Sequence, residues 1–349
     1  MELHGATRYL LEPILSELVS PGSILSAYSL ASTFCVAVFA LALRHRARRG
    51  HANLPAIFRA IFGTRVTGHE SFHADVKLVF LSIVVLPPFM MSLALSANTV
   101  SMAVSSVLKS AFGSFAPSTG HEASIRAMST VALFVAYEIG YWVDHYLKHR
   151  VSFLWAFHKL HHTAEVLTPL TNYRNHPVDN VIFGYMLSIF VGGAAGVLAW
   201  IFGRDTQIVS VDGKNIIFIA FLWTIGHLQH SQFWIPFTGV WGRILMSPAH
   251  HQIHHSDDPR HFNRNLGSVL AVWDWLAGTL EIPSTKNPRL SYGVKEVGQE
   301  AHSWRGMLAT PLVEGGGALW RALLSMRKSS FIGRRRPERD LTDEMGQRS

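Results

Sequence analysis

Residues 127–149 read AMSTVALFVAYEIGYWVDHYLKH. From Ala127 to Val143 the stretch carries Glu138 as its one charged side chain and no proline, the composition of a helix in apolar surroundings. It then ends on Asp144, His145 and His149, and the i,i+4 spacing stacks both imidazoles on one helical face. The same arrangement, an apolar run with histidines at its end, recurs at Ile216 to Phe237, which contains His227 and His230.

Three more apolar runs flank these. Ile24 to Leu43 is uncharged and long enough, at about 1.5 Å per residue, to cross a hydrocarbon core of roughly 30 Å. Arg44, Arg46, Arg48 and Arg49 follow it directly, so it reads as a spanning helix; a cleaved signal carries its positive charge in front. Leu78 to Leu95 contains Pro87 and Pro88, which remove two helical donors and predict a kink. Val181 to Phe202 contains Gly192, Gly193 and Gly196, read as sites of close helix packing and not as a phosphate loop.

The whole chain agrees with a lipid solvent. Of 349 residues, 48% are hydrophobic and 15% charged, well below the roughly 25% charged usual for soluble domains. Disorder and a disulfide-stapled scaffold are excluded by that balance and by the single Cys35. The net charge of +8 does not indicate nucleic acid, because the arginines stand beside apolar runs and not on a polar domain. The fold expected is all-α: a multi-pass transmembrane bundle of about five segments with a histidine-rich helical cap holding a dimetal site. Residues 1–126 form an N-terminal membrane region, 127–283 the catalytic unit and 284–349 a tail, with Gly315 to Gly317 as a hinge. The positive-inside rule puts Arg44 to Arg49 in the cytoplasm, which brings the histidines to the cytoplasmic face, as in a bacterial inner membrane.

Of twenty histidines, twelve fall between His145 and His255. His158-Lys-Leu-His161-His162 follows the first pair, His176 stands before Pro177, and His250-His251-Gln-Ile-His254-His255 comes last. So many imidazoles beside apolar helices are costly to desolvate unless something uses their lone pairs. One tetrahedral ion needs four ligands, so the set implies two metal ions. Nearly pure imidazole donors suit iron, copper, zinc or nickel and not magnesium or calcium.

His145-x3-His149, His158-x2-His161-His162 and His251-x2-His254-His255 resemble the three histidine boxes of the fatty acid hydroxylase and sterol desaturase superfamily, the membrane-bound non-haem di-iron oxygenases. Arg174-Asn-His176-Pro177, Gln229-His230-Ser231, Ser247-Pro248, Asn265-Leu-Gly267 and Trp273-Asp274-Trp-Leu-Ala-Gly278-Thr279 are similar to segments of bacterial members. Gln232 departs from the Asn many members carry. The resemblance implies two iron ions held by His145, His149, His158, His161, His162, His230, His251, His254 and His255, with His176 as a tenth ligand or a close neighbour. Asp144, Glu138 and Asp274 are expected to orient ligand imidazoles by accepting their second N–H, with His227 nearby. The activity implied is O₂-dependent hydroxylation or desaturation of a membrane lipid. With no dinucleotide, flavin or iron–sulfur motif, electrons are expected from a separate ferredoxin or cytochrome.

Two rival readings stay open on the sequence. His69-Glu70-Ser-Phe-His73 matches the H-E-x-x-H of zinc metalloproteases. A histidine-rich metal transporter is the other, although transporters place polar sites near the membrane midplane.

Overall fold

The computed structural model describes residues 2–51, 64–87 and 95–332, together with Asn53, Pro55 and Phe58. Its helices are α1 (Glu2–Val19), α2 (Ala27–Arg49), α3 (Glu70–Phe80, continued by a wider turn over Leu81–Val85), α4 (Ala97–Phe112), α5 (Glu122–Arg150) and α6 (Ser152–His162). Then follow α7 (Pro177–Phe202), α8 (Ile216–Gln229), α9 (Pro248–His254), α10 (Val272–Ala277) and α11 (Thr310–Ile332). Among the described residues the one sheet is a hairpin, Ser210–Val211 with Lys214–Asn215. The molecule is mostly helical, as the apolar runs predict.

Local chemistry sets the ends of the long helices. The Ser26 hydroxyl accepts the Ser29 N–H at the start of α2, and Gly50, at φ 79°, closes it. Helix α7 begins with Pro177 in its first turn and ends at Gly203, again in the left-handed region. Among the described residues, two helices are long and apolar enough to cross a membrane, Ala27–Arg46 and Pro177–Phe202. Only 17% of each apolar window is buried inside the protein, unlike a core helix of a soluble domain. Side chains such as Phe39 and Ile189, more than half exposed, need an apolar solvent.

Three expectations need correction or restriction. The run Ile216 to Phe237 is helical only as far as Gln229; at His230 the backbone turns out of the helix (φ −97°, ψ 72°). At about 1.5 Å per residue, α8 is too short to span roughly 30 Å. The Gly315 to Gly317 hinge is absent, because all three residues lie inside α11, where Gly315 lets the Phe157 ring of α6 come within 2.8 Å of the place a Cβ would occupy. The kink expected at Pro87 and Pro88 falls at the edge of the described residues, and 333–349 lie outside them.

Helix α7 packs along α4 and α5, and α11 packs on α6. The glycine reading of α7 holds at two of its three positions. A Cβ on Gly192 would stand 2.5 Å from Ala97 O, and one on Gly196 would stand 2.6 Å from Ser101 O, whereas Gly193 faces open space. Gly192→Ala and Gly196→Ala are therefore expected to lower stability by about 1–3 kcal/mol through overpacking. Gly193→Ala, the matched control, is expected to be neutral or slightly stabilising. Thermal unfolding in detergent of the three variants checks this.

Candidate metal centre

The last two turns of α5 present His145 and His149. The chain reverses at Val151, whose extended backbone (φ −104°, ψ 113°) starts α6, and α6 returns His158, His161 and His162 to the same place. Successive residues on a helix point about 100° apart, so His161 and His162 part company. Helix α9 starts at Ser247, whose hydroxyl accepts the His250 N–H, with Pro248 in the first turn. It adds His251, His254 and His255. His230 enters from the non-helical residue after α8.

The nine histidines form two groups. His145, His149, His158, His162 and His254 make one, and His161, His230, His251 and His255 the other; in each group the ligand atoms lie within 4.8 Å of one another. The groups adjoin, with the His162 and His255 rings 4.7 Å apart and nearly parallel. In the four-histidine group, His230 Nε2 lies 3.2 Å from His161 Nε2, 3.1 Å from His255 Nε2 and 3.0 Å from His251 Nε2. In the five-histidine group every Nε2 is buried without a hydrogen-bond partner.

Hydrogen bonding among imidazoles cannot satisfy this arrangement. A neutral ring has one donor and one acceptor nitrogen, so the four converging Nε2 atoms can share at most two N–H···N bonds, and every Nδ1 of that group is left without a partner. Burial, reinforced by the neighbouring rings, holds His161, His162, His251 and His255 well below the ordinary imidazole range, and burial takes His254 down to about 3. The rings are thus neutral at physiological pH, the state in which imidazole ligates. A transition metal with nitrogens at about 2.0–2.1 Å keeps neighbouring ligand atoms roughly 3 Å apart, which fits the spacing found. The residues present fit two such ions.

Behind the rings, His145 Nδ1–H donates to Leu266 O at 2.7 Å and His254 Nδ1–H donates to Arg264 O at 2.8 Å. Each carbonyl fixes the tautomer that leaves Nε2 with its lone pair toward the group. His158 Nδ1 lies 3.3 Å from Asp179 Oδ2. Asp179 is itself held by Lys148 Nζ at 2.8 Å, which also pairs with Asp144 at 2.7 Å.

The acids expected to orient imidazoles are placed otherwise. Asp144 meets Lys148 and no histidine ring. Glu138 accepts the backbone N–H groups of Val269 and Leu270, and Asp274 those of Leu266 and Gly267. Buried carboxylates here satisfy loop amides, and Asp274 reaches His145 only through the Leu266 carbonyl. Asp179, which the sequence reading passed over, is the carboxylate beside a ring; its place in the first turn after His176-Pro177 was the available signal.

His176 stands outside both groups. Its Nδ1 accepts the Val178 N–H as the cap of α7 and its Nε2–H donates to Leu308 O, so both nitrogens are engaged. His227 Nε2 pairs with Ser29 Oγ at 2.7 Å on α2, away from the converging nitrogens. His250, omitted from the expected set, caps α9 and donates to Gly242 O.

Arg174 is fully buried and holds the second histidine box from behind. Its Nε donates to Leu160 O and Thr163 Oγ1 at the end of α6, and its Nη1 donates to Ser71 O and Asp75 Oδ1 on α3. His302 Nδ1 accepts from Nη2 at 2.9 Å.

The H-E-x-x-H segment is not built as a zinc site. Helix α3 starts at Glu70, so His69 is its extended cap (φ −84°, ψ 139°), with Nδ1 accepting the Ser71 N–H. The two histidines do not share a helical face, and Glu70 and His73 are exposed. Glu70→Ala is expected to leave metal content and activity within about twofold of the parent, as for surface changes away from any site; a metal assay and turnover check it.

A cleft of about 520 Å³ opens on His149, His162, His254 and His255. Trp155 and Phe262 line it, with Arg150, Lys159 and Lys295 among its charged side chains.

Comparison with known proteins adds a family. The model of the fatty acid hydroxylase family matches residues 130–279. Human alkylglycerol monooxygenase is 28% identical over 169 residues, 46% of this chain and 32% of that protein. The ornithine lipid hydroxylase OlsE of Rhizobium tropici is 30% identical over 188 residues, 53% of this chain and 50% of its own length. Human lathosterol oxidase is 28% identical over 181 residues, 50% of this chain and 53% of its own. The matched stretch thus spans between about a third and a half of these relatives. No solved structure matches. The three relatives are lipid hydroxylases and oxidases, which lends no support to the protease and transporter readings.

Proposed function

We propose that this chain, whose residues 130–279 match the model of the fatty acid hydroxylase family, is an O₂-dependent oxidoreductase that hydroxylates a C–H bond of a membrane lipid at two iron ions. The observation that carries the proposal is the convergence of nine imidazoles in two adjoining groups. His145, His149, His158, His162 and His254 would hold one ion; His161, His230, His251 and His255 would hold the other. When bound, two ferrous ions supply the activation of O₂ that removal of hydrogen from an unactivated C–H bond requires. The chain's own residues position and shield. Leu266 O, Arg264 O and Asp179 aim the rings, Arg174 fixes the end of α6, and the cleft past Trp155 and Phe262 gives a substrate carbon a route to the histidines.

Two of the relatives, the alkylglycerol monooxygenase and the ornithine lipid hydroxylase, are named for inserting oxygen, which favours hydroxylation over desaturation here. Reducing equivalents would come from a separate donor of the ferredoxin or cytochrome type. The proposed catalytic unit is 127–283, with 1–126 as the membrane region and 284–349 as the tail.

The proposed setting is a multi-pass protein of a bacterial inner membrane, with α2 and α7 crossing and the histidines cytoplasmic. The Arg44 side chain at the end of α2 donates to Trp234 O, close after His230. The arginine-rich end of α2 and the histidine groups therefore share a side, which the positive-inside rule assigns to the cytoplasm. Incubating the iron-loaded protein with a reductant, ¹⁸O₂ and a lipid panel (alkylglycerols, ornithine lipids, sterols) tests the activity. Label in a lipid hydroxyl supports the proposal; reductant consumed with every lipid unchanged contradicts it.

A further inference from the structure

The two histidine groups differ behind the ring. In the five-histidine group, His145 and His254 donate from Nδ1 to backbone carbonyls, His158 Nδ1 faces Asp179, and His149 is bonded to the Asn263 side chain. In the four-histidine group, Nδ1 of His161, His230, His251 and His255 is in every case buried with no partner in the protein. A ring held at Nδ1 has its tautomer and direction fixed before any ion arrives, and a carboxylate there makes Nε2 a stronger donor. A ring without such a hold must be oriented by the ion itself.

From this contrast we infer that the two centres fill in order. The five-histidine centre takes the first metal ion and holds it at least about tenfold more tightly. The four-histidine centre exchanges its ion, so its occupancy sets the active fraction of the protein. The inference rests on the reading of both groups as metal centres. The close Nε2 contacts of the four-histidine group, 3.0–3.2 Å, do not reverse the order. The crowding of these nitrogens is relieved by an ion, but equally by a ring turning away, and no Nδ1 contact resists that turn.

Asp179 is the positioning residue that this order depends on most. It is buried, 3% exposed, against His158 and Lys148, and Lys148 is fixed in turn by Asp144. The carboxylate is therefore held against His158, a ring of the five-histidine group.

The test is a titration of the chelator-stripped protein in detergent with Co²⁺, whose visible bands are weak in five-coordinate sites and intense in four-coordinate ones. The first equivalent is expected to give weak bands, and the second intense ones with a dissociation constant at least about tenfold higher. Asp179→Asn is expected to raise the first constant by about 10–100-fold and leave the second unchanged. Asn263→Ala, on the cleft wall, is expected to act in the same direction without disturbing Lys148. Intense bands from the first addition, both kinds growing in fixed proportion, or a first step unmoved in both variants would overturn the ordered filling. No cobalt bound at all would instead overturn the reading of the groups as metal centres, and the inference with it.

Discussion

Replacing His161 or His251 by alanine is expected to reduce lipid oxidation by more than about a hundredfold, beyond the 10–100-fold that loss of an outer-shell partner costs. Both rings belong to the four-histidine group, and His251 Nε2 lies 3.0 Å from His230 Nε2. Taking one away leaves three donors and an opening to water where the ion was enclosed. The neighbouring group keeps all five of its rings, so metal content is expected to fall to about half and not to zero. Folding should survive, because the substitution removes a buried ring whose Nδ1 had no partner. Elemental analysis and near-ultraviolet circular dichroism of the purified variants, beside turnover, separate these effects. Full activity in either folded variant contradicts the site.

Arg174→Ala is expected to be the most destabilising single change, costing about 3–5 kcal/mol as the removal of one partner from a buried ion pair does. Asp75 and Arg174 are both fully buried and 2.8 Å apart. Without the guanidinium, Asp75 loses its charged partner and keeps the Thr171 hydroxyl at 2.7 Å, and Leu160 O and Ser71 O lose a donor. Arg174→Lys is not expected to rescue, because one ammonium cannot serve α3, the end of α6 and His302 together. Since Leu160 and Thr163 bracket His161 and His162, loosening them is also expected to lower metal retention. Denaturant unfolding in detergent, with metal content measured on the folded fraction, checks both effects. A loss below about 1 kcal/mol, the scale of an exposed pair, contradicts the account of Arg174 as the clasp of that box.

The histidine clusters were legible in the sequence from their helical spacings beside apolar runs, and the family resemblance picked out the nine that converge, with His230 and without His250. Their division was not. Adjacent His161 and His162 serve different groups, which depends on how α6 is rotated against α9, a tertiary fact. His176 was implied by the resemblance as a tenth ligand or a close neighbour, yet it serves as the cap of the helix that Pro177 begins. Glu138 and Asp274 were expected to orient imidazoles, but their carboxylates accept loop amides instead. The carboxylate that does face a ring, Asp179, carried no spacing signal, since α7 brings it to His158 across the fold. The reading of Ile216 to Phe237 as a span failed for a related reason: hydropathy continues past Gln229, while the backbone leaves the helix to aim His230.

The central claim is that two metal ions sit among these histidines, and the most direct measurement is the metal content of detergent-purified protein expressed with iron supplied. It is made beside the variant in which His158, His161 and His162 are all alanine. The account predicts about two irons per chain, one for each histidine group, lost together in the triple variant, which removes two rings from one group and one from the other. A single zinc that survives the triple change and disappears with His69 and His73 would contradict it.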